Sequence, residues 1–207
     1  MPEQRTRLTT EQRRSELIEA TLRALSTREP ERLSVQEISA EAGVSVGLLY
    51  HYFGGKDALV FAAMESAADR MIADLTAATG EGPLLGRLMA GLGAYLDHVQ
   101  LHSVGWQALM RAGGSSGLAE LGRRVDAASF ELILDALGID TPSEIAVMVI
   151  EGCLAFEKAA CLRWLASADV ERAVLEQVLA GTFLAALQSA SGADPAVAAG
   201  LARLAEG

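Results

Sequence analysis

Two phenols, an imidazole and an ammonium crowd into one stretch of the chain, Leu49-Tyr50-His51-Tyr52-Phe53 followed by Lys56. Phenolic hydroxyls and an ammonium gathered at a helix end suit phosphate oxygens, contacts that orient a protein on a nucleic-acid backbone without reading its bases. A second constellation is His98-x-x-x-His102, which at helical spacing turns two imidazoles to one face, a geometry that metals use. A metal centre needs further ligands, and cations near a helix C-terminus are favourable in any case, so no metal is expected there. Cys153 and Cys161, the only cysteines, sit about 12 Å apart along a common helix and cannot bridge. No Ser-His-Asp, Cys-His or paired-carboxylate arrangement forms a recognisable motif, and no glycine-rich phosphate loop follows a strand. Catalytic residues and cofactors are therefore not expected. The competing enzymatic reading is a helical metal-dependent or lipid-handling enzyme centred on His98, His102 and a glutamate.

The elements that must position these residues are helices. The 207 residues are 51% hydrophobic and 21% charged, ample for a core and too sparsely charged for a disordered tail. Aromatics make up only 5%, Ala and Leu abound, and runs of Val, Ile, Thr and Tyr are missing, which excludes an all-β fold and predicts an all-α one. The formal charge of −10 argues against blanket attraction to nucleic acid. Residues 1–60, however, hold eight Lys or Arg against nine Asp or Glu, so an anionic partner would meet the N-terminal part. No basic leader precedes an apolar stretch and no apolar run nears the length that spans a bilayer, so no membrane partner is expected. The cysteine usage points to a reducing cytoplasm.

Thr9 and Gln12 form a capping-box pair opening a first helix with Leu17, Ile18, Leu22 and Leu25 on one face, and Pro30 breaks the pattern after it. Ser34 and Glu37 form a second box, opening a short helix that stops at Gly43; Ser45 restarts a helix two residues later. Short helices joined by Gly43-Val44-Ser45 fit a helix-turn-helix whose wedge is filled by Ile38, Val44 and Leu49. With the Tyr50, Tyr52 and Lys56 cluster added, the stretch VQEISAEAGVSVGLLYHYFGGKDAL, Val35 to Leu59, resembles the DNA-binding signature of TetR-type transcriptional regulators. The motif match covers about residues 10–60. By position, the resemblance implies that Ser34, Tyr50, Tyr52 and Lys56 hold phosphates and that Ser45, Val46, Gly47, Leu48 and His51 face the major groove. The net charge of −10 calls for reinforcement of the phosphate donors by Arg13, Arg14 or other N-terminal arginines. Phe53 resembles the aromatic that locks the third helix to the first and fourth. Ser39 stands where the family commonly has alanine, and Tyr52 where it often has histidine. Val46 and Leu48 replace frequent Lys, Thr or Asn; apolar groups there meet thymine methyls but form no bidentate hydrogen bonds.

From Lys56 the pattern Leu59, Val60, Ala63, Ala67, Met71 and Leu75 predicts a helix to about Ala78, and Thr79 to Pro83 is the best boundary in the chain. The expected organisation is a three-helix helix-turn-helix domain over 1–55, a long connecting helix over 56–78, and a larger helical ligand-binding and dimerisation domain over 79–207. Leu84 to Val99 carry a clean helical stripe; a short segment at 104–111 bears Trp106 and Met110 before a glycine-rich break at 113–117. Thr141-Pro142-Ser143-Glu144 predicts a capping box with proline at the first helical position, and Asp169 a cap for the last long helix. The helices over 142–166 and 170–190 are apolar on more than one face, which predicts a homodimer with Gly152, Ala155, Ala159, Gly181 and Ala185 at close approach. The resemblance implies a cavity for a small hydrophobic effector, expected among 84–101, 104–111, 118–137 and 142–166. Trp106, Met110, Met148 and Phe156 would touch it, with the glycine-rich break as a lid. Glu151 and Glu157 interrupt an apolar helix; solvation, pairing with Lys158 or Arg163, and orienting a ligand's polar group are the roles open to them. As a whole, the resemblance implies a cytoplasmic, homodimeric repressor on double-stranded operator DNA, released by its effector and without enzymatic activity.

Overall fold

Reciprocal hydrogen bonds between Thr9 and Gln12 start the first helix: the Thr9 hydroxyl accepts from the Gln12 amide at 3.2 Å while the Thr9 amide donates to the Gln12 side chain at 2.9 Å. The computed structural model describes residues 9–80, 82–111, 117–167 and 169–205. These residues form ten α-helices, one 3-10 turn (Pro30–Arg32) and no strand. The helices are α1 (Thr10–Leu25), α2 (Val35–Glu41), α3 (Val46–Phe53), α4 (Lys56–Ala78), α5 (Leu84–Leu101), α6 (Ser103–Arg111), α7 (Gly117–Leu137), α8 (Glu144–Leu165), α9 (Arg172–Ser191) and α10 (Pro195–Ala205).

The chain divides into two compact units, Met1–Ala68 with Val104–Leu121, and Asp69–Ser103 with Gly122–Gly207. This differs from the linear division at 55 and 79. Leu109 and Leu121, with Met110 and Leu118, pack into the same core as Leu17, Ile38, Leu49 and Leu59, so α6 and the start of α7 belong with the first unit. That core closes over Leu17, Ile38, Leu49, Leu59 and Ala63, all at 0% exposure. Each of its buried Leu or Ile side chains contributes about 1.5–3 kcal/mol.

The second unit is centred on Leu137, Ile150, Leu187 and Val197. Gly138, at φ +61°, ends α7 in a left-handed residue, and the Ile139 amide returns to the Leu134 carbonyl at 3.0 Å. Ser143, not Thr141, caps α8: its hydroxyl accepts from the Ala146 amide at 3.1 Å and donates to Asp194, leaving Pro142 outside the helix. Asp194 in turn accepts from the Ala196 and Val197 amides at 2.8 and 3.2 Å, starting α10. The Ser143 hydroxyl and then these amides hold its carboxyl below the usual carboxylate range. Asp169 likewise is not the cap of α9, whose N-cap is Glu171 without a side-chain hydrogen bond. Arg172 anchors that end instead, reaching Asp97, Gln100 and the Gly93 carbonyl on α5.

Contrary to the sequence reading, α9 is long and apolar enough, by length and composition, to cross a bilayer. Arg172 and Glu176 near its start interrupt the apolar run without offsetting the rest. One face, with Leu175, Leu179 and Leu187, is buried in the unit, while Val174, Val178, Gly181 and Ala185 are exposed.

Candidate nucleic-acid interface and small-molecule cavity

Gly43, at φ +64°, supplies the left-handed turn between α2 and α3, and the Val44 amide closes it on the Ser39 carbonyl at 2.9 Å. Ser45 then caps α3, its hydroxyl accepting from the Leu48 amide at 3.2 Å, and Gly54, at φ +72°, ends the helix. Within these limits α3 has two faces. Leu49 and Phe53 are buried, whereas Gly47, Tyr50 and His51 are exposed, with Val46 and Leu48 half-buried beside them.

Two more of the residues expected at phosphates, Ser34 and Lys56, already make side-chain hydrogen bonds within the chain. Ser34 caps α2 and donates to the Glu37 carboxylate at 2.8 Å, and the Ser34 hydroxyl and amide lower that carboxyl's pKa. Lys56 donates to the Pro30 carbonyl at 3.2 Å, tying the start of α4 to the 3-10 turn. Tyr52 is half-buried, its ring edge-on to His51 with centroids 5.2 Å apart. Ser39 is buried, and its hydroxyl is one of two buried side-chain polar groups without a hydrogen-bond partner among the described residues.

Arg14 departs furthest from expectation. Its guanidinium lies over the Phe53 ring at 4.2 Å and donates to the Tyr52 carbonyl at 3.0 Å, so it clamps α3 onto α1. Arg13 is paired with Glu16 at 2.7 Å. The spacing that put Arg14 on the face of Leu17 and Thr21 was the available signal for an inward role. Arg14→Ala is expected to destabilise the first unit by about 1–3 kcal/mol, the sum of a cation–π contact and a hydrogen bond. Urea unfolding measures this; unchanged stability would contradict the clamp.

In the second unit a cavity of about 120 Å³ opens among the C-terminal end of α4, α5, α7, α8 and α9. Its wall is the α5 stripe of Leu88, Met89, Leu92 and Tyr95, faced by Ile133 from α7, Phe156 and Glu157 from α8, and Phe183 from α9. Of the four expected contacts, Phe156 lines it and Trp106, Met110 and Met148 do not. Trp106 and Met110 lie on α6, which serves the first unit, and Met148 is 66% exposed on the outer face of α8. Residues 112–116, most of the expected lid, lie outside the described residues. The helix over 84–101 is among those expected around the cavity, but its stripe residues are not singled out as contacts; their signal is excess, since Leu85 and Met89 remain exposed even within the fold.

Glu151 is exposed, whereas Glu157 faces the cavity, and burial followed by the nearby Asp126 charge pushes its carboxyl up to about 8. Lys158 does not pair with either glutamate: it binds Asp126 at 2.6 Å. The His98 and His102 rings are tilted at 53° to each other with centroids 4.6 Å apart. Burial and the His102 charge push His98 down to about 4 against the pull of Asp74, so it is neutral at pH 7. No group of three or more His, Cys, Asp or Glu able to hold a metal gathers among the described residues.

Residues 17–63 match the family model of bacterial regulatory proteins, tetR family. The HTH-type transcriptional regulator BetI of Brucella anthropi is 46% identical over 68 residues, 33% of this chain and 35% of that one. The chain thus matches about a third of the length of these curated relatives. Over nearly its full length it is similar to a crystal structure of a tetR-family transcriptional regulator from Streptomyces coelicolor: 33% identity, TM-score 0.86, covering 96% of this chain and 90% of that one. A TetR transcriptional regulator from Rhodococcus sp. RHA1 shares the fold at 24% identity, with TM-score 0.61 and coverage of 84% and 95%.

Proposed function

The chain belongs to the tetR family of bacterial regulatory proteins, and from that premise we propose that it is a cytoplasmic, homodimeric repressor that binds double-stranded operator DNA and leaves it when a small hydrophobic effector enters the second unit's cavity. The observation that carries this reading is the two-faced α3. Its buried Leu49 and Phe53 fix it to the core, and its open face of Gly47, Tyr50 and His51 has the dimensions of a major-groove reader. Ser45, Val46, Gly47, Leu48 and His51 form the groove set. Ser34, Tyr50, Tyr52 and Lys56 form the phosphate set, with Lys56 exchanging the Pro30 carbonyl for a phosphate oxygen. Glycine at 47 lets the backbone approach the bases, since nothing but the Ser45 hydroxyl lies within 4 Å of where its Cβ would be.

Two features of the second unit support the rest. The dimer reading rests on uncovered apolar stripes at helical spacing, Met148, Gly152, Ala155, Phe156 and Ala159 on α8 and Val174, Val178, Gly181 and Ala185 on α9, all exposed. Release rests on α4. This helix begins at Lys56, and near its other end Leu75, with Thr79 just past the helix, lines the cavity, so a ligand that displaces that end acts on the element that carries Lys56. The effector shifts the equilibrium only by its difference in affinity between the two states, so operator DNA weakens effector binding by the same factor.

Binding to the DNA flanking the protein's own gene, measured across salt concentrations, tests the reading; affinity should fall steeply as salt rises. Lys56→Ala is expected to weaken binding to all sequences alike and to reduce the salt slope by about one. His51→Ala is expected to change preference at one base position by about 1–3 kcal/mol. Operator-variant isotherms with unchanged preference would remove His51 from the reading set, and binding indifferent to salt would overturn the function.

A further inference from the structure

Of the side chains lining the cavity, one bears a carboxyl group, Glu157, and none is Lys, Arg or His. The charged groups around it are committed elsewhere. Lys158, the adjacent cation on α8, binds Asp126 of α7 at 2.6 Å, and Asp126 adds its own charge to the burial that disfavours a Glu157 anion. Cys153 and Cys161, also on α8, stay as thiols, because burial and then Glu157 raise both, Cys161 to about 12. From α5 the titratable lining group is Tyr95, and α4 and α9 contribute lining residues without an ionisable side chain. The Lys158 charge draws the Glu157 carboxyl down, but less than burial and Asp126 raise it. A carboxylate in apolar surroundings whose neighbouring cation is bound to another carboxylate is costly until a further cation reaches it.

Resting on the reading of this cavity as the effector site, we propose that the effector carries a basic amine whose ammonium pairs with the Glu157 carboxylate while its hydrocarbon part lies against the α5 leucines. Three further observations fit a cation. The aromatic members of the wall, Tyr95, Phe156 and Phe183, offer ring faces that attract one. A carboxylate effector would meet Glu157 and no lining base. A neutral effector gains one ordinary hydrogen bond, whereas an ammonium gains a charge-assisted one. With its pKa at about 8, the Glu157 carboxyl is mostly protonated at pH 7. Binding is therefore an exchange, in which the carboxylic acid releases its proton to solvent as the ammonium takes that place.

The volume, about 120 Å³, approaches the roughly 150 Å³ of an apolar cavity that holds benzene, so benzylamine and its uncharged counterpart benzyl alcohol are suitable probes. Calorimetric titration of the full chain with each, at about pH 6 and about pH 8, reads both affinity and protons released. Benzylamine is expected to bind about tenfold or more tighter than benzyl alcohol at the higher pH, with proton release. Its preference should shrink about tenfold for each unit of pH below the carboxyl's pKa. Glu157→Gln should abolish the preference and leave benzyl alcohol binding in place. Equal or stronger binding of benzyl alcohol, or a preference that survives in Glu157→Gln, overturns the amine and leaves the cavity a binding site. No binding of either probe to the wild type overturns the cavity reading along with it. The pH profile is read on the unaltered chain, so the test does not depend on the variant's folding.

Discussion

Gly181→Glu is expected to yield a folded monomer that has lost specific operator binding. Gly181 lies in the middle of α9, exposed, and a Cβ built on it meets nothing within 4 Å. The isolated chain therefore accepts a side chain there, and replacing a mid-helix glycine even favours the helix. In the proposed dimer the same position faces its two-fold mate, as do Val174, Val178 and Ala185, which share its stripe. A two-fold interface repeats every substitution, so one change places two carboxylates in one apolar contact without partners. Each uncompensated charge costs several kcal/mol, enough to separate the subunits. Loss of the second reader then removes the gain from engaging two half-sites at once, about a hundredfold or more in affinity. Sedimentation of wild type and variant at micromolar concentration reads the assembly, and operator titration reads the consequence. A monomeric wild type, or a variant that stays dimeric, would defeat the proposed interface.

The local rules of the first unit were legible because each is enforced within a few residues. Thr9 with Gln12, Ser34 with Glu37 and the glycine at 43 act through hydrogen bonds and backbone angles that neighbouring residues settle, and the structure places the boxes and the turn there. The departures arise where a distant partner decides. Ser143 outcompetes Thr141 as the cap of α8 because Asp194, 51 residues away, receives its hydroxyl. Arg14 reads as a solvated cation until Phe53 and the Tyr52 carbonyl are brought beneath it. The cavity shows the same limit. An apolar stripe such as that of α5 specifies a buried face but not whether the space it faces is filled, and the answer comes from Phe156, Phe183 and Glu157 on helices far along the chain. Trp106 and Met110 suggested a pocket by residue type, and the amphipathic α6 turned them to the other unit's needs.

Leu49→Ala is expected to remove operator binding without touching a single contact to DNA. Leu49 is at 0% exposure, is buried with Phe53 on the side of α3 turned from the exposed His51, and shares its core with Leu17, Ile38 and Leu59. A helix as short as α3 has no stability of its own in water, so its position depends on what that buried face gains. Truncation to alanine costs about 2–5 kcal/mol, the lost transfer energy plus the void left in the wedge. That is comparable to the whole stability of a small folded unit, so the first unit should be largely unfolded at a temperature where the wild type is intact. Hydrogen exchange locates the loss: amides of α1 to α3 should lose protection together, and operator binding should return in part on cooling. Leu49→Met, which conserves volume, should cost less than about 1.5 kcal/mol and retain binding. If Leu49→Ala instead kept the wild-type melting profile and lost operator binding, Leu49 would have to touch the bases, and the assignment of the two faces of α3 would be reversed. The combination of a core substitution that abolishes binding through stability and His51→Ala, which changes base preference while stability holds, separates the residues that place the reader from those that read.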